Sequence, residues 1–87
     1  MNPAIVVEFL GTALLISVVA FSGNPLIIIA ALAVAISLGG PVSGAHFNPA
    51  VTLFQHVNGK ISHATLLAYV GAQLAAALSV GFLRRVL

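Results

Sequence analysis

Glu8 is the one acidic side chain in a chain of 87 residues, and with Ser43 and His46 it offers the orienter, nucleophile and base of an acyl-transfer trio. No strand-turn-helix elbow surrounds Ser43, so nothing would present its hydroxyl to a substrate, and no enzyme is expected. His46, His56 and His63 are the candidates for metal ligation. Their spacings of ten and seven lack the i, i+4 pairing that puts two imidazoles on one helical face, and the chain has no Cys, so no metal and no other cofactor is expected. Glu8 has a further possible role, as the titrating group of a small proton-coupled carrier. Asn48 stands in SGAHFNPAVT, Ser43 to Thr52, where His, Asn and Pro interrupt an otherwise apolar run. Its amide can both donate to and accept from an uncharged polar solute.

The elements that must position these groups are membrane helices. Hydrophobic residues make up 61% of the chain and charged residues 5%, which lies outside the soluble globular range. Glu8, Lys60, Arg84 and Arg85 are the only formal side-chain charges, too few basic groups to track a phosphate backbone, so nucleic acid is excluded as a partner. The N-terminus has no basic leader and carries Glu8 within its apolar run, which reads as a first spanning segment rather than a cleaved signal.

Residues 1–87 therefore read as a single unit of an all-α membrane protein, with three transmembrane helices and one re-entrant half-helix. The expected elements are a helix over about 3–22, a second over about 25–41, a re-entrant loop and half-helix over 43–57, and a third long helix over about 61–83. Gly39, Gly40 and Pro41 are expected to stop the second helix. Three crossings put the two ends on opposite sides of the membrane. Small residues recur every four positions as Ala31, Ala35 and Gly39, as Ala68, Ala72 and Ala76, and as Gly71, Ala75 and Ser79. Such ladders let helices approach closely in lipid, and a tight bundle is expected.

The interrupting stretch cannot span. Asn48 is a natural N-cap and Pro49 a natural first residue, but Pro49 to Val57 reaches only about 13 Å as a helix, against a hydrocarbon core of ~30 Å. Irregular backbone at membrane depth is tolerated where it is buried in protein or lines a watery cavity. The carbonyls of Gly44 to Phe47 then form an acceptor ladder, and the half-helix N-terminus adds a positive dipole end with the Asn48 amide beside it. Water can donate to the ladder and accept from Asn48, whereas a cation meets the positive end. That is a filter for neutral hydrogen-bonding molecules.

SGAHFNPAVT resembles the first signature of the aquaporin and glycerol-facilitator family, the major intrinsic proteins. EFLGT, Glu8 to Thr12, resembles that family's first-helix motif, and AYVGAQLAAA around Gln73 is similar to its third helix. The three elements keep the family's order and spacing, so the resemblance covers essentially the whole chain. It implies a passive channel for water or small neutral solutes such as glycerol. It assigns the pore-facing amide to Asn48, the stacking of the half-helix tip against its mate to Pro49 and Ala50, and the pore-lining carbonyls to Gly44, Ala45, His46 and Phe47. It makes Glu8 the brace that holds those carbonyls, with His46 as its partner, and Gln73 a second polar brace.

Members of that family carry two inverted repeats in one chain, and this sequence contains one. Two resolutions stand open. A second copy inserted in the opposite orientation can supply the missing half, since the N-terminal amine and Lys60 on one face balance Arg84 and Arg85 on the other and leave little orientation preference. Alternatively, the residues are the first half of a longer protein. Val51 follows the NPA, where the family's second signature carries an Arg, and Ile28 lies roughly where its second helix contributes a filter residue. An aliphatic Ile28 leaves glycerol and other small neutral solutes open beside water. The expected partners are membrane lipid, the solute and a second half-repeat, in a homo-oligomer of the plasma membrane.

Overall fold

Three Asn-Pro pairs punctuate the chain, and each begins a helix. Asn2, Asn24 and Asn48 hold extended backbone and accept from amides two or three residues on, while Pro3, Pro25 and Pro49 take the first helical position, where a missing N–H is harmless. The structure, a computed structural model, describes residues 2–87. The N-terminal amine, expected on the same membrane face as Lys60, lies outside the described residues. The elements run α1 (Pro3–Phe21), α2 (Pro25–Ser43), α3 (Pro49–Val57) and α4 (His63–Val86). Ser62 caps α4 by accepting from the Thr65 amide at 3.1 Å.

Helices α1, α2 and α4 are long and apolar enough to cross a membrane. The longest dimension of the fold, 38 Å, clears a hydrocarbon core of ~30 Å. The chain is thus an integral membrane protein of the expected all-α class, with α3 as its short fourth helix.

Two helix ends differ from expectation. Helix α2 runs through Gly39, Gly40 and Pro41 to Ser43, and it is Gly44, at φ +87°, that ends it, its amide bonding the Gly40 carbonyl at 2.9 Å. Pro41 falls in the last turn, where its missing N–H leaves a single helical bond unmade. Gly39 serves contact rather than termination: a Cβ there would lie 2.9 Å from the Phe47 ring and 3.0 Å from Val7. Helix α4 likewise continues beyond residue 83. Arg84 stays helical, with its guanidinium 5.6 Å from the centre of the Phe21 ring, which ties the ends of α1 and α4 together.

Helix α1 sits between α2 and α4, and α3 packs on α4. Two of the three small-residue ladders serve these contacts, with Ala35, Gly39 and Ala76 buried. The third does not. Gly71, Ala75 and Ser79 face outward, with the Ser79 hydroxyl turned back onto the Ala75 carbonyl at 2.8 Å. The chain leaves α3 through a Schellman turn, in which Gly59, at φ +72°, bonds the His56 carbonyl and the Lys60 amide bonds that of Gln55.

Candidate functional site

Between the end of α2 and the cap of α3, residues 44–48 form neither helix nor strand. Gly44, Ala45 and Phe47 all have positive φ, at +87°, +52° and +53°. A left-handed conformation costs a non-glycine residue about 1–3 kcal/mol when the surroundings impose it, so something must hold Ala45 and Phe47 there. Glu8 is a large part of the answer. Its Oε2 accepts from the Ser43 hydroxyl at 2.7 Å and from the His46 amide at 3.1 Å, and its Oε1 accepts from the Phe47 amide at 2.8 Å and from Gln73 Nε2 at 2.9 Å. The carboxyl is fully buried, and every group around it is a donor.

The loop's amides are therefore spent inward. Gly44 N bonds the Gly40 carbonyl, Ala45 N the Ser43 hydroxyl at 3.1 Å, and His46 N and Phe47 N the Glu8 carboxyl. Among the described residues, no donor reaches the carbonyl oxygens of Gly44, Ala45, His46 or Phe47. The amides of this run are thus pinned, while its four carbonyls are left to find a partner beyond the described residues.

The loop's anchor is an aromatic ring. Phe47 is 4% exposed, and its ring occupies the space above Gly11 on α1 so closely that a Cβ at Gly11 would lie 2.1 Å from it. Glycine at positions 11 and 39 thus makes the slot that Phe47 fills, and the backbone beside the ring is held against α1 and α2.

Asn48 caps α3 with its side-chain oxygen, which accepts from the Ala50 amide at 2.8 Å. The Nδ2 group keeps its hydrogens for something else, and the residue is exposed along with Pro49, Ala50 and Val51. Thr52, one turn on, is fully buried. Its hydroxyl meets His46 Nδ1 at 2.9 Å and accepts from Gln73 Nε2 at 2.9 Å. Gln73 therefore bridges α1 and α3 from α4. The reverse assignment of its amide would turn its oxygen toward the Glu8 carboxyl, so the network fixes its orientation and leaves Gln73 Oε1 buried with no partner among the described residues.

One sequence expectation takes a different form here. The partner of Glu8 is the backbone amide of His46, while the imidazole turns to Thr52. Ser43 donates directly to Glu8, so no histidine stands between serine and carboxylate and the catalytic trio is absent as a geometry. Ile28 is half-buried in the first turn of α2, roughly 24 Å along the helix axis from Gly44. Ser43, Thr52 and Tyr69 carry supporting contacts that the sequence reading did not assign. The Tyr69 hydroxyl donates to the Ser43 carbonyl at 2.8 Å, and its ring stands edge-on to His46 at 5.0 Å. The available signal was polarity in mid-span: Tyr69 is the only tyrosine in the chain, and a buried phenol needs a partner.

The family model described as Major intrinsic protein matches residues 20–87. The chain is 38% identical over 90 residues to Aquaglyceroporin AqpS of Rhizobium meliloti (strain 1021), covering 85% of this chain and 39% of that protein. It is 39% identical over 80 residues to Glycerol uptake facilitator protein-like 6 of Lactiplantibacillus plantarum, covering 82% and 37% respectively. With Aquaporin-5 of Homo sapiens it shares 42% identity over 64 residues, covering 67% and 24%. The chain thus spans about two fifths or less of the length of the curated relatives it matches. No solved structure matches it.

Proposed function

The chain belongs to the major intrinsic protein family, and on that premise we propose that it forms one half of a passive membrane conduit for water and small neutral solutes such as glycerol. A second, inverted half-repeat, from another copy or from further sequence, completes the pore, and the assembly is a homo-oligomer of the plasma membrane. Asn48 offers its amide hydrogens to the solute, and the carbonyls of Gly44 to Phe47 accept from it. Pro49 and Ala50 meet the opposing tip, Val51 and Ile28 border the path, and Glu8 and Gln73 hold the loop from behind. The names of two relatives, an aquaglyceroporin and a glycerol uptake facilitator, support glycerol among the solutes.

The observation that carries this reading is the division of labour in the loop: amides bonded inward, carbonyls free. Depth supports it. Gln73 lies ten residues into α4, or about 15 Å along its axis, which is half of a ~30 Å core, and it touches Thr52 one turn from Asn48. A cation arriving there meets the N-terminal end of α3 and the unengaged Asn48 hydrogens, both positive in character. A neutral solute that can donate and accept replaces its lost water contacts on both sides.

Stopped-flow light scattering on proteoliposomes tests the proposal. Vesicles holding the protein should shrink or swell faster than bare lipid under water and glycerol gradients, with rates proportional to the gradient and indifferent to an imposed pH difference. Rates equal to bare lipid from folded protein oppose a conduit. Accumulation of solute driven by a pH difference favours instead the proton-coupled carrier, with Glu8 as its titrating group.

A further inference from the structure

Seven positions separate His56 and His63, yet their ring centres lie 4.8 Å apart with planes at 83°. The Schellman turn through Asn58, Gly59 and Lys60 makes this approach by setting the last turn of α3 beside the first turn of α4. His56 is oriented. Its Nδ1 lies 3.1 Å from the Ile61 carbonyl oxygen, and because a carbonyl only accepts, Nδ1 carries the hydrogen and Nε2 keeps its lone pair. His63 is exposed and makes no hydrogen bond among the described residues, so its ring can turn without losing one.

With metal–nitrogen bonds of ~2.0–2.1 Å, two imidazoles on one ion set their ring centres roughly 4.5–5.2 Å apart for ligand angles from about 90° to about 110°. The observed 4.8 Å falls inside that window. A bond from the other ring nitrogen to a backbone carbonyl is also the orienting contact that metal-bound imidazoles commonly make, and His56 already has it. We propose that His56 and His63 together bind a borderline divalent transition cation such as Zn²⁺, Ni²⁺ or Cu²⁺ where α3 turns into α4, with water filling the remaining positions.

The chemistry of the pair sets the class of ion. No group of three or more His, Cys, Asp or Glu side chains comes together among the described residues, so the pair contributes two imidazole nitrogens and no thiolate or carboxylate. Hard cations such as Mg²⁺ and Ca²⁺ prefer oxygen cages and are poorly served, whereas imidazole suits the later transition metals. Lys60, in the connecting turn, adds positive charge, and the one carboxylate is committed inside the bundle, so affinity is modest. Both imidazoles must be neutral to bind, so protons compete with the metal. A bound ion would clip the exit of the half-helix to the entrance of α4. The site is separate from the solute path and does not rest on that reading.

Isothermal titration of ZnCl₂ into detergent-solubilised protein without a histidine tag tests the inference. Saturable binding of one ion per chain is expected at neutral pH, weaker on acidification. His63→Gln should weaken it roughly tenfold or more, and His56→Gln with His63→Gln should abolish it. Helical circular dichroism reports whether each variant folds, and His63→Gln alters an exposed side chain with no hydrogen bond to lose. No saturable binding by the folded parent, or binding of parental strength in folded His63→Gln, overturns the proposal.

Discussion

The carboxyl of Glu8 and the backbone amide of Phe47, thirty-nine positions apart, are joined by a hydrogen bond of 2.8 Å, and Phe47 has a φ of +53°. A bond to a charged acceptor contributes about 1.5–3 kcal/mol, the same order as the strain of a left-handed non-glycine residue. Glu8 receives such a bond from each of two consecutive loop amides, and it is the contact that holds the irregular backbone in place. Glu8→Gln would set amide hydrogens against groups that are themselves donors. We expect a loss of about 2–4 kcal/mol in stability, read from denaturant unfolding in detergent, together with slower solute flux. Unchanged stability would remove Glu8 from its bracing role.

The fit of Phe47 against α1 gives a second expectation. Gly11→Ala places a methyl carbon where the Phe47 ring now lies, which should destabilise by about 1–3 kcal/mol and shift the loop. Adding Phe47→Leu should recover part of that loss, because the smaller side chain vacates the space. The coupling energy from the double-mutant cycle is the measurement, and strict additivity would contradict the contact.

On the proposed reading, variants of Asn48 separate folding from conduction. Asp caps a helix as well as Asn does, so Asn48→Asp should keep the stability of the parent while removing the amide hydrogens and adding a negative charge. Asn48→Ala, in contrast, loses the cap and should cost about 1 kcal/mol. Flux assays on both variants, paired with melting curves, should show neutral-solute permeation impaired in each and stability impaired in one.

Thr52→Val keeps shape and removes a hydroxyl that meets both His46 Nδ1 and Gln73 Nε2 in a buried place. Leaving His46 Nδ1 and one of the two Gln73 Nε2 hydrogens unpaired should destabilise by about 1–3 kcal/mol. Thr52→Ser, which restores the hydroxyl, should recover most of it, as measured by thermal unfolding.

Much of this architecture is readable from local chemistry. The apolar runs give the spanning helices, and Asn48 with Pro49 announces the start of a helix too short to cross. What escapes is whatever depends on contact between distant segments. Gly39 reads as a helix stop because glycine usually weakens helices, yet here its missing side chain admits the Phe47 ring and the helix continues to Ser43. Thr52, Ser43 and Tyr69 are unremarkable singly, and their partners come from other elements. The polar character of Glu8 marked it as needing a partner, but that the partner would be a backbone amide of His46 rather than its ring follows only from the loop's conformation. His56 and His63 lack the i, i+4 spacing of paired helical ligands because a turn, not one helix, brings them together.

The proposed conduit depends on residues 44–57 dipping into the bilayer with their carbonyls beside a polar path. Because the chain has no native cysteine, a single spin label can be placed at Ala50 and, as a surface reference, at Lys60. Power-saturation electron paramagnetic resonance in lipid vesicles then reports the depth of each label. The label at position 50 should lie near the bilayer centre and still be reached by a water-soluble relaxant, with position 60 at the headgroups. Equal headgroup depth for the two labels, or a deep label at position 50 reached only by oxygen, would contradict a polar path past Asn48.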